Sequence, residues 1–180
     1  MDLGRDGIIG GIRFVASPNC DEREPGQAIT MLVVHSISLP PGQFGGDWVE
    51  RLFTNRLDPG AHPYFAAISE LRVSAHFFLR RDGELVQFVP AGARAWHAGA
   101  SVWRGRNRCN DFSIGVELEG ADDRAFEPVQ YLRLAELTRA LRAALPLSAI
   151  AAHSDIAPAR KTDPGPFFDW PRYFSLLARD

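Results

Sequence analysis

The sequence predicts an α/β fold, and three stretches carry that prediction. AITMLVV, residues 28–34, is continuously apolar or β-branched and runs into His35, the pattern of a central strand buried on both faces with a polar residue at its C-terminal end. Residues 112–118 alternate, so that Ile114, Val116 and Leu118 share one face of a second strand while Ser113, Gly115 and Glu117 share the other. Residues 128–145 form an amphipathic helix, with Leu132, Ala135, Leu137, Leu141 and Leu145 near helical spacing and Pro128 close to its start. At 180 residues, 46% of them hydrophobic and 23% charged, the chain suits a single domain, 1–180, with a real core.

Taken in order, residues 11–16 read as a short strand, and SPNCDEREPGQ makes a loop through Gln27. The strand 28–34 follows and delivers His35 where site residues commonly sit in α/β sheets. SISLPPGQFGGD is a Gly- and Pro-rich loop able to lie over the mouth of a cleft; a short helix over 48–55, with Asp47 as N-cap, comes next. Residues 57–63 read as loop. Two strands, 73–79 and 84–89, flank Arg81-Asp82-Gly83 and predict a hairpin. After Pro90, AGARAWHAGASVWRGRNRCND is long, rich in small residues and irregular, yet contains Trp96, His97 and Trp103; such loops are usually functional or mobile. A short strand over 148–152 delivers His153, and a helix over 170–178, opened by Pro171, closes the chain.

Composition narrows the function. A net charge of -2 gives no reason to expect nucleic acid or an anionic membrane as partner. Cys20 and Cys109 are too few and too far apart for a disulfide framework and suit a reducing compartment. Asp2 and Asp6 stand where a signal peptide would be basic, so the expectation is that nothing is cleaved and nothing is exported by that route. No run approaches the ~20 apolar residues needed to span a bilayer.

The densest chemistry lies in HSDIAPARKTDPGPFFDW, residues 153–170, where three prolines and one glycine argue against regular helix or interior strand. His153 and Asp163 offer the imidazole nitrogen and carboxylate oxygen that zinc accepts. Of the five histidines, His35 and His153 both terminate apolar strands, so a sheet could bring them together with Asp163 and leave a fourth position open for water. His76 and His97 remain rival ligands on the residues alone, and His62, before Pro63, is expected to be exposed. Hydrolysis at such a site needs a proton acceptor and a group to stabilise an oxyanion, and Glu117 and Lys161 are of those types. Trp96 and Trp103 could pack or present an aromatic surface to a sugar ring; Arg72, Arg104, Arg106 and Arg108 could bind carboxylates or keep the surface soluble.

The segments VVHSISLPPGQFGG, RVSAHFFLRRDGELVQFVP, RAWHAGAS, RCNDFSIGVELEG and HSDIAPARKTDPGPFFDW, in this order, closely resemble the AmpD-type N-acetylmuramoyl-L-alanine amidases. The resemblance implies a mixed β-sheet flanked by helices, the amidase and peptidoglycan-recognition-protein fold, with one zinc ion per chain. It further implies cleavage of the amide between the lactyl group of N-acetylmuramic acid and L-alanine, on 1,6-anhydro-muropeptides recycled in the cytoplasm. It assigns His35, His153 and Asp163 to zinc, Glu117 to proton transfer and Lys161 to the oxyanion, with His76 and His97 outside the ligand set. Ser36, Arg72, Trp96, His97 and Arg108 fall in segments that would line the muramyl and peptide grooves. Two positions depart from the family pattern: Ser36 stands where Asn is common, and Ala159 stands where Gly is common, which would strain the turn if it needs φ > 0. Two other readings are a non-catalytic muropeptide-binding protein of the same fold, which typically lacks part of a metal set that is complete here, and a periplasmic or phage wall-degrading amidase.

Overall fold

In a computed structural model, which describes residues 1–179, the strands are β1 (Arg13–Phe14), β2 (Cys20–Asp21), β3 (Met31–Ile37), β4 (Phe77–Leu79), β5 (Leu85–Gln87), β6 (Arg94–Ala95), β7 (Val102–Trp103), β8 (Arg106–Asn107), β9 (Ser113–Glu119) and β10 (Ala149–Ala152). The helices are α1 (Trp48–Phe53), α2 (Pro63–Ile68), α3 (Pro128–Ala144), the single turn α4 (His153–Ile156) and α5 (Trp170–Leu177). Six strands form one mixed sheet in the order β1-β5-β4-β9-β3-β10, in which only the β4–β5 hairpin is antiparallel.

Strand periodicity divides the core into two sides. Leu32, Val34, Ile114, Val116, Leu118, Phe77 and Leu79 point to one face and pack with Leu134, Leu137 and Leu141 of α3 and Tyr173 of α5. Their strand neighbours Phe78 and Val86 point to the other face, beneath Leu52 and Phe53 of α1 and Phe65 of α2, while Met31 and Val33 meet Phe112 and Ile156 farther along it. Parity puts His35 on this second side with Met31 and Val33, and Glu117 there with Ser113 and Gly115. The site is therefore carried on the face opposite α3.

Sequence expectations and structure differ at several places. Leu132 is 48% exposed; the buried stripe of α3 runs instead through Tyr131, Leu134, Thr138 and Leu141, which repeat every three or four residues. The end of the 57–63 loop opens α2: Pro63 occupies its first turn and the His62 ring accepts the Tyr64 N–H at 3.1 Å, a cap whose sequence signal was the His-Pro pair before an apolar run. Asp47 precedes α1 but makes no capping bond, because its carboxylate is held by Arg51 Nε at 2.8 Å. The irregular stretch after Pro90 contains β6, which pairs with β2 near the start of the chain, and the short pair β7–β8. Residues 153–156 do make one helical turn, closed by the Asp155 carboxylate accepting from the Ala152 N–H at 2.8 Å.

Candidate metal centre and active site

Three adjacent parallel strands, β9, β3 and β10, end on the same side of the molecule, and their C-terminal ends supply the site. β3 contributes His35, β9 contributes Glu117 directly across from it in register, and β10 runs into α4, whose first residue is His153. The loop after α4 returns Asp163 to the same place, its carbonyl accepting from the Ser154 N–H at 3.0 Å. The loop is anchored on both flanks: Arg160 donates to the carbonyls of Ala98 and Ala100, and the Thr162 hydroxyl donates to Asp122 at 2.5 Å.

The outcome is a tight knot of ligand-type atoms. His35 Nδ1 and His153 Nδ1 lie 2.9 Å apart, and Asp163 Oδ2 is 3.0 Å from the second and 3.2 Å from the first. One atom from each residue falls within 4.8 Å of the others, a group able to hold a metal ion. The far nitrogen of His153 faces the Ala98 carbonyl at 3.2 Å, so it carries the proton and leaves Nδ1 bare. Bare nitrogens and a carboxylate oxygen converging in a buried space repel one another unless a cation sits among them, so this donor set fits a divalent metal. His35 shows the same pressure: burial, against the pull of Asp163, lowers its pKa to about 4. Burial also opposes ionisation of Asp163, yet its close contacts with the His153 and His35 imidazoles hold its carboxyl well below the usual range.

Glu117 stands beside the knot, with Oε1 3.9 Å from His35 Nδ1, and its side chain keeps 13% exposure along the groove. Its Oε2 is buried without a hydrogen-bond partner among the described residues. Burial first, then the negative charge of Asp163, pushes its pKa well above the usual carboxylate value, and the Lys161 charge partly offsets this. A carboxyl so placed takes and returns a proton readily. Lys161 lies on the rim of the same groove, which measures about 410 Å³.

Of the expected substrate-binding residues, Ser36, Trp96 and His97 line this groove. Arg72 and Arg108 stand apart from it: Arg72 points outward beside Glu70 at 3.5 Å, and Arg108, 70% exposed, pairs with Asp111 at 3.1 Å and borders a separate cavity of about 730 Å³ near Ala157 and Arg160. Ala159 is outside the left-handed region, which non-glycine residues occupy only at Asn55, Arg104 and Arg108 among the described residues, so the turn carries no strain there. His76 is buried away from the knot: its Nδ1 accepts the Gly115 N–H at 3.0 Å, and its Nε2 lies 3.1 Å from the Ala93 carbonyl. Sequence reasoning overlooked the apolar residues that line the same groove, Tyr64 and Ile68 of α2 with Leu71 and Val73. The space beside Gly115 is also filled: the His97 imidazole lies over it, where any Cβ would collide with the ring.

A model of the N-acetylmuramoyl-L-alanine amidase family matches residues 25–166. The chain is 56% identical over 180 residues to the 1,6-anhydro-N-acetylmuramyl-L-alanine amidase AmpD of Escherichia coli (strain K12), covering 99% of this chain and 98% of that one. It superposes on the crystal structure of a selenomethionine derivative of AmpD with a TM-score of 0.96 at 54% identity, covering 98% and 99% of the two chains. It also resembles, with a TM-score of 0.61 at 30% identity, the amidase AmiD from E. coli solved with the substrate anhydro-N-acetylmuramic acid-L-Ala-D-gamma-Glu-L-Lys, covering 86% of this chain and 60% of that one.

Proposed function

The chain belongs to the N-acetylmuramoyl-L-alanine amidase family, and from that premise we propose how it hydrolyses the amide between 1,6-anhydro-N-acetylmuramic acid and L-alanine in peptidoglycan recycling. The reading has one zinc ion held by His35, His153 and Asp163, and action on soluble anhydromuropeptides in the cytoplasm. The observation that carries it is the convergence of three ligand atoms within 4.8 Å, beside a buried carboxyl with an unpaired oxygen, at the foot of a groove. When bound, zinc supplies Lewis acidity that polarises water and an amide carbonyl.

The chain's own residues do the remaining work. As the oxygen of water bonds to the lactyl carbonyl carbon, Glu117 takes the proton that leaves the water. The carbonyl electrons move to oxygen, and the Lys161 ammonium offers a hydrogen bond to the charge that forms there. When the C–N bond breaks, Glu117 returns its proton to the departing L-alanine nitrogen, so atoms and charge balance over the cycle. Its burial supports both halves, since desolvation makes the carboxylate a stronger base and keeps the carboxyl protonated until the departing nitrogen takes the proton. Trp96, Tyr64, Ile68 and Leu71 give the groove apolar sides suited to the sugar and lactyl groups.

The test is to incubate the purified chain, with and without zinc, on a defined anhydromuropeptide and follow free peptide by mass spectrometry. Release that depends on zinc is expected; full activity in metal-free protein would sink the mechanism.

A further inference from the structure

Behind the metal knot lies a line of hydrogen bonds that the mechanism above does not use. His35 Nε2 is 2.9 Å from His97 Nδ1, His97 Nε2 is 3.1 Å from Ser113 Oγ, and Ser113 Oγ is 2.6 Å from the Cys109 carbonyl oxygen. All the side chains are buried, His97 being the most exposed at 8%.

The direction of this line follows from its last member. A carbonyl only accepts, so the Ser113 hydroxyl donates to Cys109 and has only lone pairs left for His97. His97 Nε2 must then carry a proton. His97 is packed among other imidazoles, with ring centroids 5.0 Å from His35 and 5.8 Å from His76, in a buried setting that disfavours a charged ring. The neutral ring has a bare Nδ1, which accepts a proton only from His35 Nε2. Rotation of the ring is restrained from two sides. The His97 and Ala98 N–H groups both donate to Asn110 Oδ1, at 3.2 and 2.8 Å, and the absence of a Cβ at Gly115 leaves the one slot the imidazole fills.

We propose that His97 and Ser113 are positioning residues for the metal centre, holding His35 as the Nε2–H tautomer so that its Nδ1 lone pair faces His153 and Asp163. The proposal rests on the zinc reading above and adds that the site's affinity is set partly by a serine two strand positions from Gly115 that touches neither metal nor substrate. Outer partners of metal-binding histidines typically contribute 10–100-fold to affinity.

The experiment pairs zinc titration against a competing chelator with nitrogen-15 NMR of the imidazoles. Ser113→Ala and His97→Phe are expected to weaken zinc binding by roughly 10–100-fold, while His97→Gln, whose amide can accept from His35 and donate to Ser113, recovers much of the loss. In the unaltered chain, spectra are expected to show the His35 proton on Nε2 and a scalar coupling from it across the hydrogen bond to His97 Nδ1. That measurement does not depend on any variant folding. Wild-type zinc affinity in both Ser113→Ala and His97→Phe, or a His35 proton on Nδ1, would overturn the proposal and leave the zinc reading standing. Failure of the unaltered chain to bind zinc would take both down together.

Discussion

His35 on β3 and Glu117 on β9 are partners in one parallel register, which brings the imidazole Nδ1 within 3.9 Å of the carboxylate. A one-residue slip would send one of them to the face covered by α3, so the pairing of two buried strands and the assembly of the site are a single structural event. Four consequences can be measured.

Removing a ligand should remove metal and activity together. The purified chain is expected to hold about one zinc ion, and His153→Ala to lose most of it, because two protein ligands make a poor cage. Metal analysis beside turnover decides this; a His153→Ala protein with normal zinc content would exclude His153 as a ligand.

Removing a proton carrier should separate the two. Glu117→Ala is expected to keep its zinc and lose about 10²–10⁴-fold in kcat, and Lys161→Ala to keep its zinc and lose roughly 10²–10³-fold, again mainly in kcat. Near-normal kcat in Glu117→Ala would show that proton transfer runs through another group.

His76 should make stability depend on pH. Burial first, then the Arg23 charge, lowers its pKa from 6.5 to about 3, and its Nδ1 is already committed to the Gly115 N–H. The unfolded chain therefore binds a proton that the folded chain refuses between those values. Stability is full above about pH 6.5 and falls on acidification toward pH 3, by on the order of 1.4 kcal/mol per unit from this group. His76→Asn, which keeps an acceptor for Gly115 but does not titrate, should show a shallower decline in chemical denaturation across that window. Parallel curves would rule His76 out as the cause.

The α3–α5 contact offers an asymmetric pair. The Thr138 hydroxyl donates to the Leu134 carbonyl and lies 2.7 Å from the buried Tyr173 hydroxyl. Tyr173→Phe leaves Thr138 satisfied and should cost about 0.5–1.5 kcal/mol, whereas Thr138→Val strands the tyrosine hydroxyl and should cost about 1–3 kcal/mol. Urea unfolding of both variants checks the order, and the reverse ranking would refute the argument.

How much of this was legible beforehand varies by element. The alternation in 112–118 already placed Glu117 and Gly115 on one side and Ile114 and Val116 on the other, and the structure keeps that division. The hairpin around Gly83 was equally plain, since Gly83 adopts φ +90 there. Helix α2 was not, because six residues are too few to display a helical period and only its His-Pro start announced it.

The sequence by itself determined where strands end and which polar residues stand at those ends, because alternation, apolar runs and Gly/Pro breaks are properties of neighbours in the chain. That was enough to select His35, Glu117 and His153 as candidates. Only the tertiary structure decided which histidines meet. His35 and His153 are 118 residues apart and come together because β10 pairs with β3, while His76 is held off by the Gly115 backbone and His97 is tucked behind His35. Strand order and the filling of one glycine's empty space depend on how distant segments pack, and no local pattern carries that information.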